Sequence, residues 1–177
     1  MFKYNLDKGL KVNVWINEEF VVRENGNNRF LVEEDTVLFA NTKKIIIELF
    51  IPRAHNNYAL LGMDFLASES GKAVVQLNME APNSEKYKEA EALPFDAVFW
   101  GITDEFNEGI IRSVDKHIKR QALPSGIINY NISAYGEIGS SADMFEKVSD
   151  ILLSILMCDD NDEARILKLI KDNVDIK

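Results

Sequence analysis

The sequence holds a single cysteine, Cys158, and two histidines, His55 and His117. One cysteine excludes an internal disulfide, and so thin a supply of soft ligands leaves no Cys/His zinc site. Bases are scarce beside acids, 20 Lys and Arg against 29 Asp and Glu for a net charge of -9, which argues against a DNA-binding footprint. No apolar run approaches the roughly 20 residues of a membrane span, and residues 1–12 interleave charged with apolar side chains, unlike a signal peptide. With only four prolines and nine glycines, no linker, repeat or low-complexity tract divides the chain. These absences predict one domain over 1–177, in a reducing cytoplasmic compartment, with no cofactor, metal, membrane or DNA partner. What is present, 46% hydrophobic residues including 10% aromatics, is enough to build a core.

Charge is distributed in blocks. Residues 80–108 hold eight acids and two bases, and residues 143–163 hold seven acids and one base. Between them Arg112, Lys116, Lys119 and Arg120 outweigh Asp115. Acidic helix starts and basic helix ends answering the helix dipole would produce this pattern with no partner at all. A surface that steers a basic partner would produce it too.

Hydrophobic periodicity changes along the chain. Val12, Val14 and Ile16 alternate as in a strand, and short apolar runs follow at Phe20–Val22, Phe30–Val32, Val37–Phe39 and Ile45–Ile51. Asn25-Gly26-Asn27-Asn28 accepts positive φ at low cost, which predicts a hairpin between strands near 19–24 and 29–33, and hence an antiparallel meander over 1–53. Residues 58–66 read as a strand, with a short helix as the alternative, and 73–79 as a further strand. From Pro94, the residues Phe95, Val98, Phe99, Ile102, Phe106, Ile110, Val114 and Ile118 recur every three or four positions and predict one long helix over 95–120. A strand at 127–134, a helix capped by Ser140 or Ser141, and a final helix from about Asp162 complete the pattern. The predicted class is α+β: an antiparallel or mixed sheet with two or three helices on one face, and β-α-β-α order over 54–177.

One string stands out, Tyr135-Gly136-Glu137-Ile138-Gly139-Ser140-Ser141-Ala142 between a predicted strand and a predicted helix. Such a turn presents backbone N–H groups to an anion, making Gly136, Gly139, Ser140 and Ser141 the candidate anion site. It resembles the Gly-Leu-Gly-Ser-Ser-Ala core of the phosphate loop in the GHMP kinases, which implies a nucleotide-binding enzyme. Here Glu137 stands where the anion would lie, and the Pro-Gly-Arg-type motif of that family is absent. Over about 72–157, the order strand, helix, strand, helix, with Val74 to Pro82, Gly126-Ile127-Ile128 and Ser140-Ser141 before Phe145, resembles the fourth domain of the translation factor EF-G. That resemblance implies a non-catalytic protein acting around translation, although so acidic a chain is ill suited to ribosomal RNA.

The remaining candidates are local. Asp159-Asp160-Asn161-Asp162-Glu163 is rich in oxygen ligands but lacks the glycine and distal glutamate of a calcium loop, so it reads as an acidic helix start. Cys158 reads as a packed thiol rather than a nucleophile. Neither histidine has ligand spacing, and no carboxylate pair nominates itself for acid/base catalysis. Trp15 lies opposite the Val12, Val14, Ile16 face, so it is an interface residue or is covered by another layer, whereas Trp100 is expected in the core. The leading expectation is a non-enzymatic, immunity- or antitoxin-like protein that captures a basic protein partner. Glu85, Glu89 and Glu91 are its expected exposed contacts, with Trp15 as apolar anchor.

Overall fold

The computed structural model describes residues 1–52, 55, 57–93 and 95–174, with the side chains of 24–28, 33 and 34 excepted. Its strands are β1 (Phe2–Asn5), β2 (Lys11–Ile16), β3 (Glu24–Glu34), β4 (Lys43–Phe50), β5 (Tyr58–Ala67), β6 (Lys72–Met79), β7 (Val98–Trp100) and β8 (Gly126–Gly136). Its helices are α1 (Asp104–Lys119), α2 (Ala142–Leu156) and α3 (Glu163–Val174). The fold is α+β. All strands join one mixed sheet of order β1-β2-β4-β5-β8-β6-β3, with β7 continuing beside β8. Every pairing is antiparallel except β6 with β8, the parallel pair that α1 connects.

The meander is therefore real but lacks one member. β1, β2, β4 and β5 follow one another, whereas β3 leaves for the far edge and pairs with β6. Asn25–Asn28 does not close a hairpin: Glu24 pairs with Met79 and Arg29 with Leu77, so the intervening residues bulge out of a single strand. Residues 20–22 and 37–39 form no strand, and Leu38 makes only an isolated bridge to Pro124. Residues 1–53 and the β-α-β-α segment share one sheet rather than building two.

The predicted helix over 95–120 is the larger correction, although its expected start, Pro94, lies outside the described residues. Val98–Trp100 is a strand, and α1 begins only at Asp104, behind a Thr103 cap whose side chain accepts from the Phe106 N–H. Gly101 makes the break. Its φ is +96°, and a Cβ there would lie 2.4 Å from the Ala81 carbonyl oxygen. The surviving stripe behaves as expected: Ile110 and Val114 are buried, and half-buried Phe106 stacks on Phe145 at 5.3 Å. α2 and α3 follow the sequence closely, with Ser141 as the cap of α2 and Asp162 accepting from the Arg165 N–H at the start of α3.

The helices cover one face of the sheet, meeting Val12, Ile45, Leu61, Phe65, Val75 and Tyr130 in the main core. Part of the charge pattern is explained here, because α1 turns Arg112 and Lys116 toward three acids of α2. Arg112 reaches Glu146 at 2.7 Å and Asp143 at 2.9 Å, while Lys116 and Ser113 both hold Asp150. No helix among the described residues is long and apolar enough to cross a membrane. α1 approaches the start of α2 closely at Gly109, where a Cβ would fall 1.9 Å from the Ala142 carbonyl oxygen. Gly109→Ala should therefore destabilise the protein by about 1–3 kcal/mol in urea unfolding, despite the better helix propensity of alanine. Unchanged or raised stability would contradict this packing.

Candidate functional site

The opposite face of the sheet is covered only in part. An irregular strap over 80–93 and 95–97, followed by β7, lays Tyr87, Ala90, Ala92, Val98 and Trp100 on Ile46, Phe50, Tyr58, Leu60, Ile132 and Ala134. Phe20 seals the margin, edge-on to Trp15 at 5.3 Å and to Trp100 at 6.3 Å. Trp15 is thus half-buried beneath Phe20, and Trp100 lies in the core.

Carboxylates hold the strap down. Buried Glu48 accepts hydrogen bonds from the Asn13 amide at 2.9 Å, the Tyr58 hydroxyl at 3.0 Å and the Glu91 N–H at 2.8 Å. Asn13 also donates to the Glu91 carboxylate, which Lys11 meets at 2.9 Å. Burial pushes the Glu48 carboxyl above its ordinary value of 4.5. Burial also pushes Glu91 upward, but the Asn13 and Lys11 hydrogen bonds outweigh it and hold that carboxyl below 4.5. Further along, Arg23 lies over the Trp100 ring at 4.7 Å and grips Glu85 through two nitrogens at 2.6 and 2.8 Å. Of the three acids expected to face a partner, Glu85 is exposed but bound to Arg23 and Glu91 is half-buried in this network. Glu89 alone stands exposed without such a contact.

The loop after β8 is occupied in the same way. The Asp96 carboxylate, buried, accepts from the Gly139 N–H at 2.8 Å and from the Ile138 N–H at 3.2 Å. The Gly136 N–H donates to the Ser140 hydroxyl, which in turn donates to the Tyr58 carbonyl, and Ser141 caps Met144. The turn is an anion cradle, as its sequence indicates, and the anion in it is the chain's own aspartate, not Glu137. Both glycines are required by close neighbours: a Cβ at Gly136 would lie 2.2 Å from Asp96 Oδ2, and one at Gly139 would lie 1.8 Å from Asn57 Oδ1.

The other local candidates are also engaged. Asp160 takes an ion pair from buried Lys43 at 2.5 Å and a hydrogen bond from Asn17 at 2.7 Å, and Asp159 closes its own turn onto the Asn161 N–H. Lys43 also donates to the Cys158 carbonyl at the end of α2. Cys158 is buried, and burial pushes its thiol above the ordinary range. His117 bonds the Ser113 carbonyl of its own helix, and His55 is exposed in a bend. Among the described residues, no group of three or more His, Cys, Asp or Glu is placed to hold a metal.

Among the described residues, one open surface lies on the sheet itself, and sequence reasoning missed it. On the half of the sheet that the strap does not reach, the register aligns two rows of side chains across the strands. Val32, Val74, Ile127 and Leu66 form one row, and Phe30, Gln76, Asn129, Asp64 and Lys44 form the next. The first row is wholly apolar. Phe30 and Leu66 are each 58% exposed and Val32 is 49% exposed. A shallow hollow of about 660 Å³ lies against the rows, lined by the acids Glu18, Glu19 and Asp64 and by Lys43 and Lys44, of which Lys43 is already paired with Asp160. The signal that could have found this surface was the exposed parity of β3, β5, β6 and β8, where valine and isoleucine occupy positions that a solvated face would give to polar residues.

Compared with protein-family models, with curated proteins and with solved structures, the chain matches none.

Two predictions follow from the carboxylates. Asp96→Ala leaves the buried Gly139 N–H unmatched and frees the part-buried Ile138 N–H, and should cost about 1–3 kcal/mol in urea unfolding. Near-neutral stability would mean that the loop stands without Asp96. Because the folded state holds the Glu48 proton more tightly than the unfolded chain, the contribution of Glu48 is present at low pH and is lost as pH rises above 4.5 through the folded value. Glu48→Gln does not titrate, so its stability relative to wild type should climb with pH over that interval. A difference that falls with pH would contradict the assignment.

Proposed function

We propose that the protein is a non-enzymatic binding domain that docks a basic protein partner on the open half of its sheet. The observation that carries this reading is the apolar row Val32, Val74, Ile127 and Leu66, exposed at Val32 and Leu66 and half-buried at Val74 and Ile127, beside the acids Glu18, Glu19 and Asp64. An exposed apolar row on a sheet marks an interaction surface, because a monomer gains nothing by leaving it wet. An apolar centre with acidic margins suits a partner that offers an apolar anchor ringed by Lys or Arg. The net charge of -9 adds long-range attraction for such a partner, as in an immunity- or antitoxin-like inhibitor. The anion-cradle enzyme is the weaker reading, because Asp96 and Ser140 already take the N–H donors that a phosphate would need.

The test is affinity capture from the native extract, followed by binding constants measured with the purified partner. Leu66→Lys and Glu19→Lys should each weaken binding about tenfold or more, a loss of about 1.4 kcal/mol, while Glu89→Lys leaves it nearly unchanged. Binding insensitive to Leu66→Lys, or a captured partner that is acidic, would contradict the proposal.

A further inference from the structure

The two margins of the sheet differ. β1 is a strand of four residues, whereas β3 runs for eleven, and no other strand among the described residues pairs with its outer side. A long unpaired edge offers a row of backbone donors and acceptors to another chain, and proteins commonly blunt such edges. Here the blunting is confined to the first half of β3, where the bulge between Glu24 and Arg29 breaks the register. From Arg29 to Glu34 the pairing with β6 is regular, one residue to one, so the outer side of that stretch is straight enough to template a partner strand.

We infer that this stretch pairs antiparallel with β3 of a second copy of the chain, about a two-fold axis through Leu31. The sequence 29–33, Arg-Phe-Leu-Val-Glu, is self-complementary in that register. A two-fold axis perpendicular to the sheet keeps the same face of both copies on the same side, so only residues of like parity stand opposite each other. Centring on Leu31 sets Phe30 opposite Val32 twice, and the arginine at 29 opposite the glutamate at 33 twice. An aromatic paired with a β-branched residue and a base paired with an acid are the favourable cross-strand combinations. Phe30 and Val32 are among the exposed apolar side chains, and this pairing covers them. In the monomer Arg29 makes an exposed pair with Glu108 at 3.1 Å, and exposed pairs of this kind contribute little. The resulting dimer joins two sheets edge to edge and carries the row Val32, Val74, Ile127 and Leu66 of one copy into the row beginning at Phe30 of the other. This inference stands on the edge and its sequence, independently of the proposed basic partner.

The test is sedimentation analysis of the full chain from its lowest measurable to its highest soluble concentration. The wild type should show a concentration-dependent monomer–dimer equilibrium. Arg29→Glu and Glu33→Arg, each setting like charges opposite one another twice, should shift it to monomer with at least about a tenfold weaker dimer. The double variant Arg29→Glu with Glu33→Arg restores opposite charges and should recover the dimer, which a merely misfolded chain would not do. A wild type that stays monomeric at every concentration overturns the inference. So does a dimer indifferent to both reversals, or a double variant that remains monomeric. Loss of partner binding by Leu66→Lys with the dimer retained would leave this inference intact, so the two readings can fail separately.

Discussion

β8 is the constraint on which the other elements depend. Its eleven residues pair with β5 on one side, and with β6 and then β7 on the other. Its register slips once: Tyr130 lies opposite Met63 and Ile132 opposite Gly62, so Asn131 is the extra residue. A slip of one residue exchanges the faces of everything beyond it. Below the bulge Ile128 and Tyr130 point to the helices; above it Ile132 and Ala134 point to the strap. Were Asn131 paired in regular register rather than bulged, Asn131 and Ser133 would have to serve as the floor beneath the strap. The bulge is fastened by the Asn131 amide donating to Asp64 at 2.7 Å and by the Arg23 N–H donating to the Asn131 carbonyl at 3.2 Å. It therefore also marks where the covered half of the sheet ends and the open half begins.

What was legible in the sequence was whatever depended on near neighbours. The alternation of Val12 and Val14, the apolar runs of β4 to β6, the Ser141 cap and the stripe of α2 all repeat at the period of their own element. The failures had specific causes. Val98, Phe99 and Ile102 lie in phase with Phe106, so periodicity alone extends the helix through them. Only the contact of Gly101 with Ala81, twenty residues away in the chain, shows that the backbone must break there. Asn25–Asn28 carries hairpin chemistry, but a hairpin needs a second strand. Phe20, which would have belonged to that strand, instead covers Trp15 and Trp100.

The candidate site was less legible than the fold, because the chain satisfies most of its own candidates at long range. Asp96 fills the cradle at Ile138 and Gly139, Arg23 occupies the face of Trp100, and the bases of α1 answer the acids of α2. Each pairing brings together residues more than thirty positions apart, and no local pattern announces it. A sequence can advertise an anion loop or an acidic cluster; whether that feature is vacant is a property of the tertiary fold. The open rows on the sheet are the converse case. Their residues are ordinary strand formers, and only the register that aligns them across four strands, together with the strap that stops short, turns them into a surface.

The claim that the chain's own carboxylate occupies the loop, leaving the sheet as the binding surface, is tested most directly by following the amide resonances of Ile138 and Gly139 while inorganic phosphate, and then ATP with Mg²⁺, is added to the wild-type protein. Both amides already donate to Asp96, so the resonances should stay where they are at every ligand concentration. A saturable shift centred on Gly139 would contradict the account, since it would mean that an external anion displaces Asp96 and that the loop is a ligand site.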